Sequence, residues 1–273
     1  MSTETIKRIV SAIVLVILVS ACIYYGPLST LILLGVFALI AVDEIYVNFF
    51  KRKRLELNYF ICQGILLGPY IYLNFLDRAP AIIEIFVNAG VLFNLVLLVY
   101  LFAIDHESKI LDKVSKAFPY ISAFIILFPI MSLGSLFYFP KWRALFGILL
   151  VINFGMDTGA WLVGKNFGKH KLWKKVSPNK TIEGLIGGVV CSGILGVLSW
   201  AWVFDRREPL LFFVFGLFGL LSQVGDLIQS KFKRQSGIKD SSSLIPGHGG
   251  VYDRIDSLLF LTPFFAIALR YFY

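Results

Sequence analysis

The sequence predicts an all-α, polytopic integral membrane protein of about nine transmembrane helices, with its N-terminus in the cytoplasm. Three observations carry that expectation. Apolar residues fill 58% of the 273 positions and the mean hydropathy is +0.78, a balance unlike that of a water-exposed domain. Runs of about 18 or more apolar residues recur from one end of the chain to the other, each long enough to cross the hydrocarbon as a helix. The polar stretches between them are too short to hold a separate globular domain.

The first span is read over residues 9–25. Lys7 and Arg8 before it imitate a signal peptide, and residues 19–22 resemble a lipoprotein cleavage box, but the length of the run and the spans that follow favour a retained helix. Gly26-Pro27 breaks it. The second and third spans cover residues 31–50 and 59–76, the fourth 82–104, the fifth 120–139 and the sixth 145–163. The seventh, eighth and ninth cover residues 182–204, 210–230 and 255–271. Asp43 and Glu44 stand near the inner end of span two, where a carboxylate costs less than the roughly 2.5–3.5 kcal/mol of the bilayer centre. They are expected to partner the run Lys51-Arg52-Lys53-Arg54. Gly64, Gly68 and Pro69 suggest close packing or a kink in span three. Cys22, Cys62 and Cys191 fall inside apolar runs at no metal spacing and read as small core residues.

The net charge of +9 finds its use in topology. With the N-terminus inside and nine spans, only Arg78, Lys141, Arg143, Arg206, Arg207 and Arg270 of the 26 Lys and Arg fall outside. The positive-inside rule holds at every loop, with the C-terminus outside. Contacts with anionic lipid account for the remaining basic excess, and no nucleic-acid partner is expected.

From Asn153 the texture changes. Asp157, Ala160, Gly164 and Gly168 recur at intervals of three and four, one small-residue helical face with a carboxylate at its deep end. A basic loop with Lys169, His170, Lys171, Lys174, Lys175 and the segment Ser177-Pro-Asn-Lys-Thr181 follows, then Gly184, Gly187 and Gly188, where backbone is expected to approach a ligand. Span eight ends with Ser222, Asp226 and Ser230 four apart on one face. The stretch from Ser230 to Asp256 then places Lys231, Lys233, Arg234, Lys239 and Arg254 among Asp240, Asp253, Asp256 and His248, with glycines between. The topology is expected to bring Asp226 and Asp253 to one side of the membrane at similar depth. Carboxylates among lysines and arginines suit Mg²⁺ shared with phosphate oxygens, and hence phosphoryl or nucleotidyl transfer. There is no P-loop, no G-x-G-x-x-G turn, no H-E-x-x-H and no G-x-S-x-G elbow, and the histidines are dispersed at 106, 170 and 248.

Ser230, Lys233-Arg234, Lys239-Asp240, His248-Gly249-Gly250, Asp253-Arg254 and Asp256 together resemble the signature of the phosphatidate cytidylyltransferases (CDP-diacylglycerol synthases). The segments 157–168 and 177–181, with Glu183-Gly184 and Gly187-Gly188, are similar to that family too, so the resemblance covers roughly the last 120 residues. It implies CTP plus phosphatidic acid giving CDP-diacylglycerol and pyrophosphate, with Mg²⁺ as cofactor and a second cation as a further expectation. It implies Asp226 and Asp253 as metal ligands, with Asp256 and Asp157 as further ligands or orienters. Lys180, Lys233, Arg234, Lys239 and Arg254 would hold phosphates, His248, Gly249 and Gly250 would shape the turn beside them, and Ser177 and Asn179 would contact the nucleotide. Residues 1–142 would then be a scaffold for lipid access or dimer contacts. Residues 143–273 would be the catalytic region, with cytoplasmic loops at 164–181 and 231–254. The expected location is the cell (plasma) membrane, with the site facing the cytoplasm. A homodimer through the small face of Ser192, Gly193 and Gly196 is a further expectation. The alternatives are a CTP-dependent polyprenol or phytol kinase and, from another class, an anion transporter with a basic vestibule.

Overall fold

A computed structural model describes residues 3–77, 79–105 and 107–273. Arg78 and His106, counted above as an outer cation and a dispersed histidine, lie outside the described residues. Among the described residues nine helices are long and apolar enough to cross a membrane, and the protein is an all-α polytopic membrane protein, as its hydropathy predicts. In chain order the helices are α1 (Thr3–Tyr25), α2 (Pro27–Glu44), α3 (Leu57–Ile71), α4 (Pro80–Ala103), α5 (Ile110–Ala117) and α6 (Ile121–Ser135). There follow α7 (Trp142–Phe167), α8 (Ile182–Phe204), α9 (Leu211–Ser236) and α10 (Tyr252–Phe272). Wider π turns at Ile45–Phe49 and Tyr72–Leu76 prolong α2 and α3. An antiparallel hairpin, β1 (Lys171–Trp173) and β2 (Ser177–Thr181), joins α7 to α8.

Three expectations are corrected. The helices outrun the hydropathy windows, because such windows mark only the part of a helix suited to hydrocarbon. α7 and α9 each have 26 residues, about 39 Å at 1.5 Å per residue against a hydrocarbon core of about 30 Å. The loop expected at 231–254 accordingly shrinks to residues 237–251, and Lys231, Lys233 and Arg234 lie on helix, the last two in the final turn, where cations offset the partial charge of the terminal carbonyls. The loop expected at 164–181 carries the hairpin. Between the fourth and fifth expected spans, where the sequence suggests only a connection, α5 carries Lys113 and Lys116.

The chain folds as two compact units. The first comprises Met1–Gly90, Glu107–Phe137 and Phe232–Ile255. In it α2, α3 and α6 pack together around the fully buried Tyr46, Cys62, Leu66, Ile126 and Met131. Polar groups within these spans turn to backbone, as an environment without water requires: Tyr70 Oη donates to the Leu31 carbonyl at 2.6 Å, and Asn74 Nδ2 to that of Tyr70 at 2.9 Å. Arg54 forks onto both oxygens of Asp43 at 2.7 and 2.8 Å, the partnership expected for that carboxylate. Arg52 donates to the carbonyls of Ser115 and Lys116 at the end of α5, a cationic cap on orphan carbonyls.

The second unit comprises Val91–His106, Tyr138–Lys231 and Asp256–Tyr273. Its α7 and α8 approach closely along a seam of glycines. A Cβ at Gly159 would lie 2.5 Å from Cys191 Cβ, and one at Gly188 would lie 2.6 Å from Met156 Sδ. Gly187 meets Val163 in the same way, so Gly187 and Gly188 admit the close approach of α7. The small face offered for a dimer is likewise filled from within: Gly193 packs on Phe212 and Gly196 on Phe215, both on α9. Lys231 is fully buried and donates to the carbonyls of Tyr100 and Leu101 at 2.8 and 2.9 Å and to that of Ile104, with its ammonium 4.5 Å from the Tyr100 ring.

Candidate active site

Thr181 is the N-cap of α8: it leaves β2 in extended backbone, and its hydroxyl accepts the Gly184 N–H at 3.1 Å. Glu183, in the first turn, receives the backbone N–H groups of Lys169 and His170 at 3.1 and 3.2 Å and meets His170 Nδ1 at 2.6 Å. The hairpin is thereby tied to the start of α8, which aims Lys180 at α9. There Lys180 Nζ forms an ion pair with Asp226, and Ser230 donates to the other oxygen of that carboxylate at 3.4 Å. The Asp226 side chain remains 31% exposed. Asp157, Gly164, Lys165, Asn179, Lys180 and Thr181 help to line a cavity of about 330 Å³ at this place, so parts of segments 157–168 and 177–181 meet there, without Ser177 or Gly168. Ser177 stands at the head of β2, paired with Trp173. Asp256 is buried and accepts its neighbour Ser257 N–H at 2.8 Å.

The first unit holds the signature loop around Asp253, whose side chain is 4% exposed. One oxygen accepts Lys233 Nζ at 2.9 Å; the other accepts the Ser241 N–H, the Ser241 hydroxyl and the Gly250 N–H at 2.6, 2.8 and 3.0 Å. Asp253 is thus surrounded by protein donors, most of them on one oxygen, and it shares the single Ser241 hydroxyl hydrogen with Glu44. Gly249 adopts φ +81°, and a Cβ there would stand 2.6 Å from Asp253 Oδ2, so the turn requires glycine for both conformation and space. His248 Nδ1 meets the Ser11 hydroxyl at 2.7 Å. Burial, with Arg254 and Arg8 nearby, holds the His248 imidazole below its ordinary pKa of 6.5 and so neutral at pH 7. Arg234, Lys239 and Arg254 are exposed.

The residue that sequence reasoning misplaced is Glu44. It does not join Asp43 in balancing Lys51–Arg54. Its carboxylate, on a residue 2% exposed, accepts the hydroxyls of Ser241 and Ser242 at 2.8 and 2.6 Å and the N–H groups of Val251 and Tyr252 at 2.9 and 2.8 Å. Those last two donors open α10, a terminus where an anion is favoured. The available signal was the cost of a carboxylate so far along an apolar run, but nothing in the sequence said that its partners lie some 200 positions away.

Among the described residues no three His, Cys, Asp or Glu side chains form a cluster able to hold a metal by themselves. Asp226 and Asp253 each stand beside a lysine, Lys180 and Lys233.

Residues 6–272 match the sequence profile of the cytidylyltransferase family. The chain belongs to that family. Among cytidylyltransferase relatives, it is 48% identical over 114 residues to a phosphatidate cytidylyltransferase of Staphylococcus haemolyticus, covering 41% of this chain and 44% of the relative. The proteins of the same name from Staphylococcus aureus and Staphylococcus saprophyticus are 50% and 46% identical over the same length and shares. The chain therefore aligns with less than half the length of these cytidylyltransferases.

Proposed function

We propose that the protein is a CTP:phosphatidate cytidylyltransferase of the cell membrane, acting at the cytoplasmic face. The observation that carries this reading is the pairing of cation with carboxylate as Lys180–Asp226 and, within the signature, Lys233–Asp253, in a chain that belongs to the cytidylyltransferase family. An oxygen of the lipid phosphate attacks the α-phosphorus of CTP in line, forming the new P–O bond as the bond to the β-phosphate oxygen breaks and pyrophosphate leaves. Phosphate is a competent nucleophile at neutral pH, so the chain supplies no general base. Lys180, Lys233, Arg234, Lys239 and Arg254 bind the phosphates and spread the developing charge. Ser177 and Asn179 contact the nucleotide, while His248, Gly249 and Gly250 hold the turn. Phosphate oxygens arriving at Lys180 and Lys233 replace the carboxylates as their partners.

The donor chemistry fits magnesium. This ion takes one or two protein carboxylates and fills its shell with water and phosphate oxygens. Asp226, partly exposed, and Asp253 are the residues that would hold it, with Asp256 and Asp157 as further ligands or orienters. When bound, the ion neutralises phosphate oxygens and stabilises the leaving pyrophosphate.

The test is purified protein in detergent with phosphatidate, labelled CTP and Mg²⁺. Pyrophosphate and lipid-linked cytidine are expected in equal amounts, both abolished by EDTA. Release of CDP would replace this reading by a lipid-alcohol kinase. Asp226→Asn is expected to lower turnover by about 10²-fold or more while the protein remains folded and inserted. A near-normal rate in that variant would sink the ligand assignment.

A further inference from the structure

Gln223 has no part in the roles above. It lies on α9 three residues before Asp226, on a shared helical face, and lines the same 330 Å³ cavity as Lys180 and Asn179. Its side chain belongs to a residue only 4% exposed, and its Nε2 meets no acceptor among the described residues. A buried amide donor left unmatched is costly, and native proteins keep such a donor where water or a ligand supplies the acceptor.

The remaining wall holds one carboxylate, that of Asp157, beside several cationic and N–H groups, and these groups say what kind of acceptor that is. Thr181 and Gly184 mark the N-terminus of α8, a helix of 23 residues whose first turn presents partial positive charge. Lys180 adds an ammonium already matched by Asp226, and Lys165 adds another toward the loop, lying 5.0 Å from the Trp161 ring. Cations, a helix N-terminus and an uncommitted N–H together suit an oxyanion. The carboxamide supplies a directed hydrogen bond without adding charge, which positions one oxygen rather than merely attracting the group.

Resting on the nucleotidyl-transfer reading, we infer that Gln223 is a substrate-contacting residue that donates its Nε2–H to a phosphoryl oxygen of the bound nucleotide. It is one helical turn from Asp226, so it fixes the phosphate chain beside the carboxylate that serves the transfer.

The experiment measures CTP and inorganic pyrophosphate binding by calorimetry, with Mg²⁺, to the full chain in detergent. Gln223→Leu removes the donor; Gln223→Glu keeps the shape but turns a carboxylate toward the phosphate; Gln223→Asn keeps the donor on a shorter stem. Leu is expected to weaken both ligands by about tenfold or more, and Glu to weaken them further. Asn should fall between wild type and Leu. Size-exclusion profiles and thermal unfolding without ligand establish that the variants are folded, and a purely structural role would not order pyrophosphate affinity in this sequence. If Leu and Glu fail to fold, Asn against wild type decides: unchanged affinity for both ligands overturns the inference. It is also overturned if Leu binds both ligands as wild type does, or if CTP alone is weakened, which moves the contact to base or ribose. A wild-type protein that binds neither ligand overturns the nucleotide reading as well, whereas normal wild-type binding with indifferent variants overturns only the role of Gln223.

Discussion

Glu44 accepts four hydrogen bonds from one loop and helix start, and two of the donors are backbone N–H groups that no rotamer change can redirect to water. Glu44→Ala leaves them unmatched in a buried place, at roughly 1–3 kcal/mol for each group. The expected result is a fall in thermal stability together with a loss of turnover of about tenfold or more, because Asp253 is held through Ser241. Unchanged unfolding and rate would show that the loop holds itself. His248 gives a prediction about pH. Its pKa is lowered in the fold, so the unfolded chain takes up the proton first as pH falls, and stability declines from about pH 6.5 downward through the lowered value. Above 6.5 the histidine contributes no slope. Thermal unfolding of the wild type and of His248→Asn between pH 7.5 and 5 checks this, since the variant should lack that part of the decline; a histidine that steepens stability loss above pH 7 contradicts it.

At the scale of elements, Lys231 ties α9 to the end of α4. Its ammonium meets three carbonyls in and just past the last turn of α4. Lys231→Met keeps the volume and removes the donors, so hydrogen exchange at residues 100–104 should accelerate while α8 keeps its protection. Equal protection in the variant would mean that aromatic packing around Tyr100 and Trp173 suffices. The hairpin and α5 show where sequence reading reached its limit. Nine spans were legible because each is a long apolar run, and their existence does not depend on knowing a partner. The hairpin has strands of 3 and 5 residues with a single lysine in each and Pro178 inside the second, and its anchor is Glu183 on the following helix. No local pattern announces such an element. The boundaries were misjudged for a related reason: Lys233 and Arg234 read as loop, yet the helix continues through them because the terminal carbonyls favour cations.

At the scale of the whole molecule, the distribution of Lys and Arg predicts an orientation that labelling can test. Single cysteines at exposed positions 171 and 239 should react only from the cytoplasmic side, and one at 206 only from outside, in a chain whose Cys22, Cys62 and Cys191 are replaced. Reversed labelling would contradict the cytoplasmic site of the proposed function. The candidate site residues stand out in the sequence as a list, because a membrane chain has little other use for so many polar residues among glycines. Their pairings do not. Asp226 with Lys180 and Asp253 with Lys233 are choices made by folding among several lysines of equal charge, and spacing along the chain does not rank them.

Ser241 stands between two carboxylates, with its hydroxyl oxygen 2.8 Å from Glu44 Oε2 and 2.8 Å from Asp253 Oδ2. A hydroxyl has one hydrogen to give. Whatever share of it Asp253 receives is withdrawn from Glu44, and the reverse holds when Asp253 takes another partner. The loop thus contains a two-position balance with a single weight: when Asp253 turns to a new partner, the serine is free to close fully on Glu44, and the release of one group tightens the hold on the other.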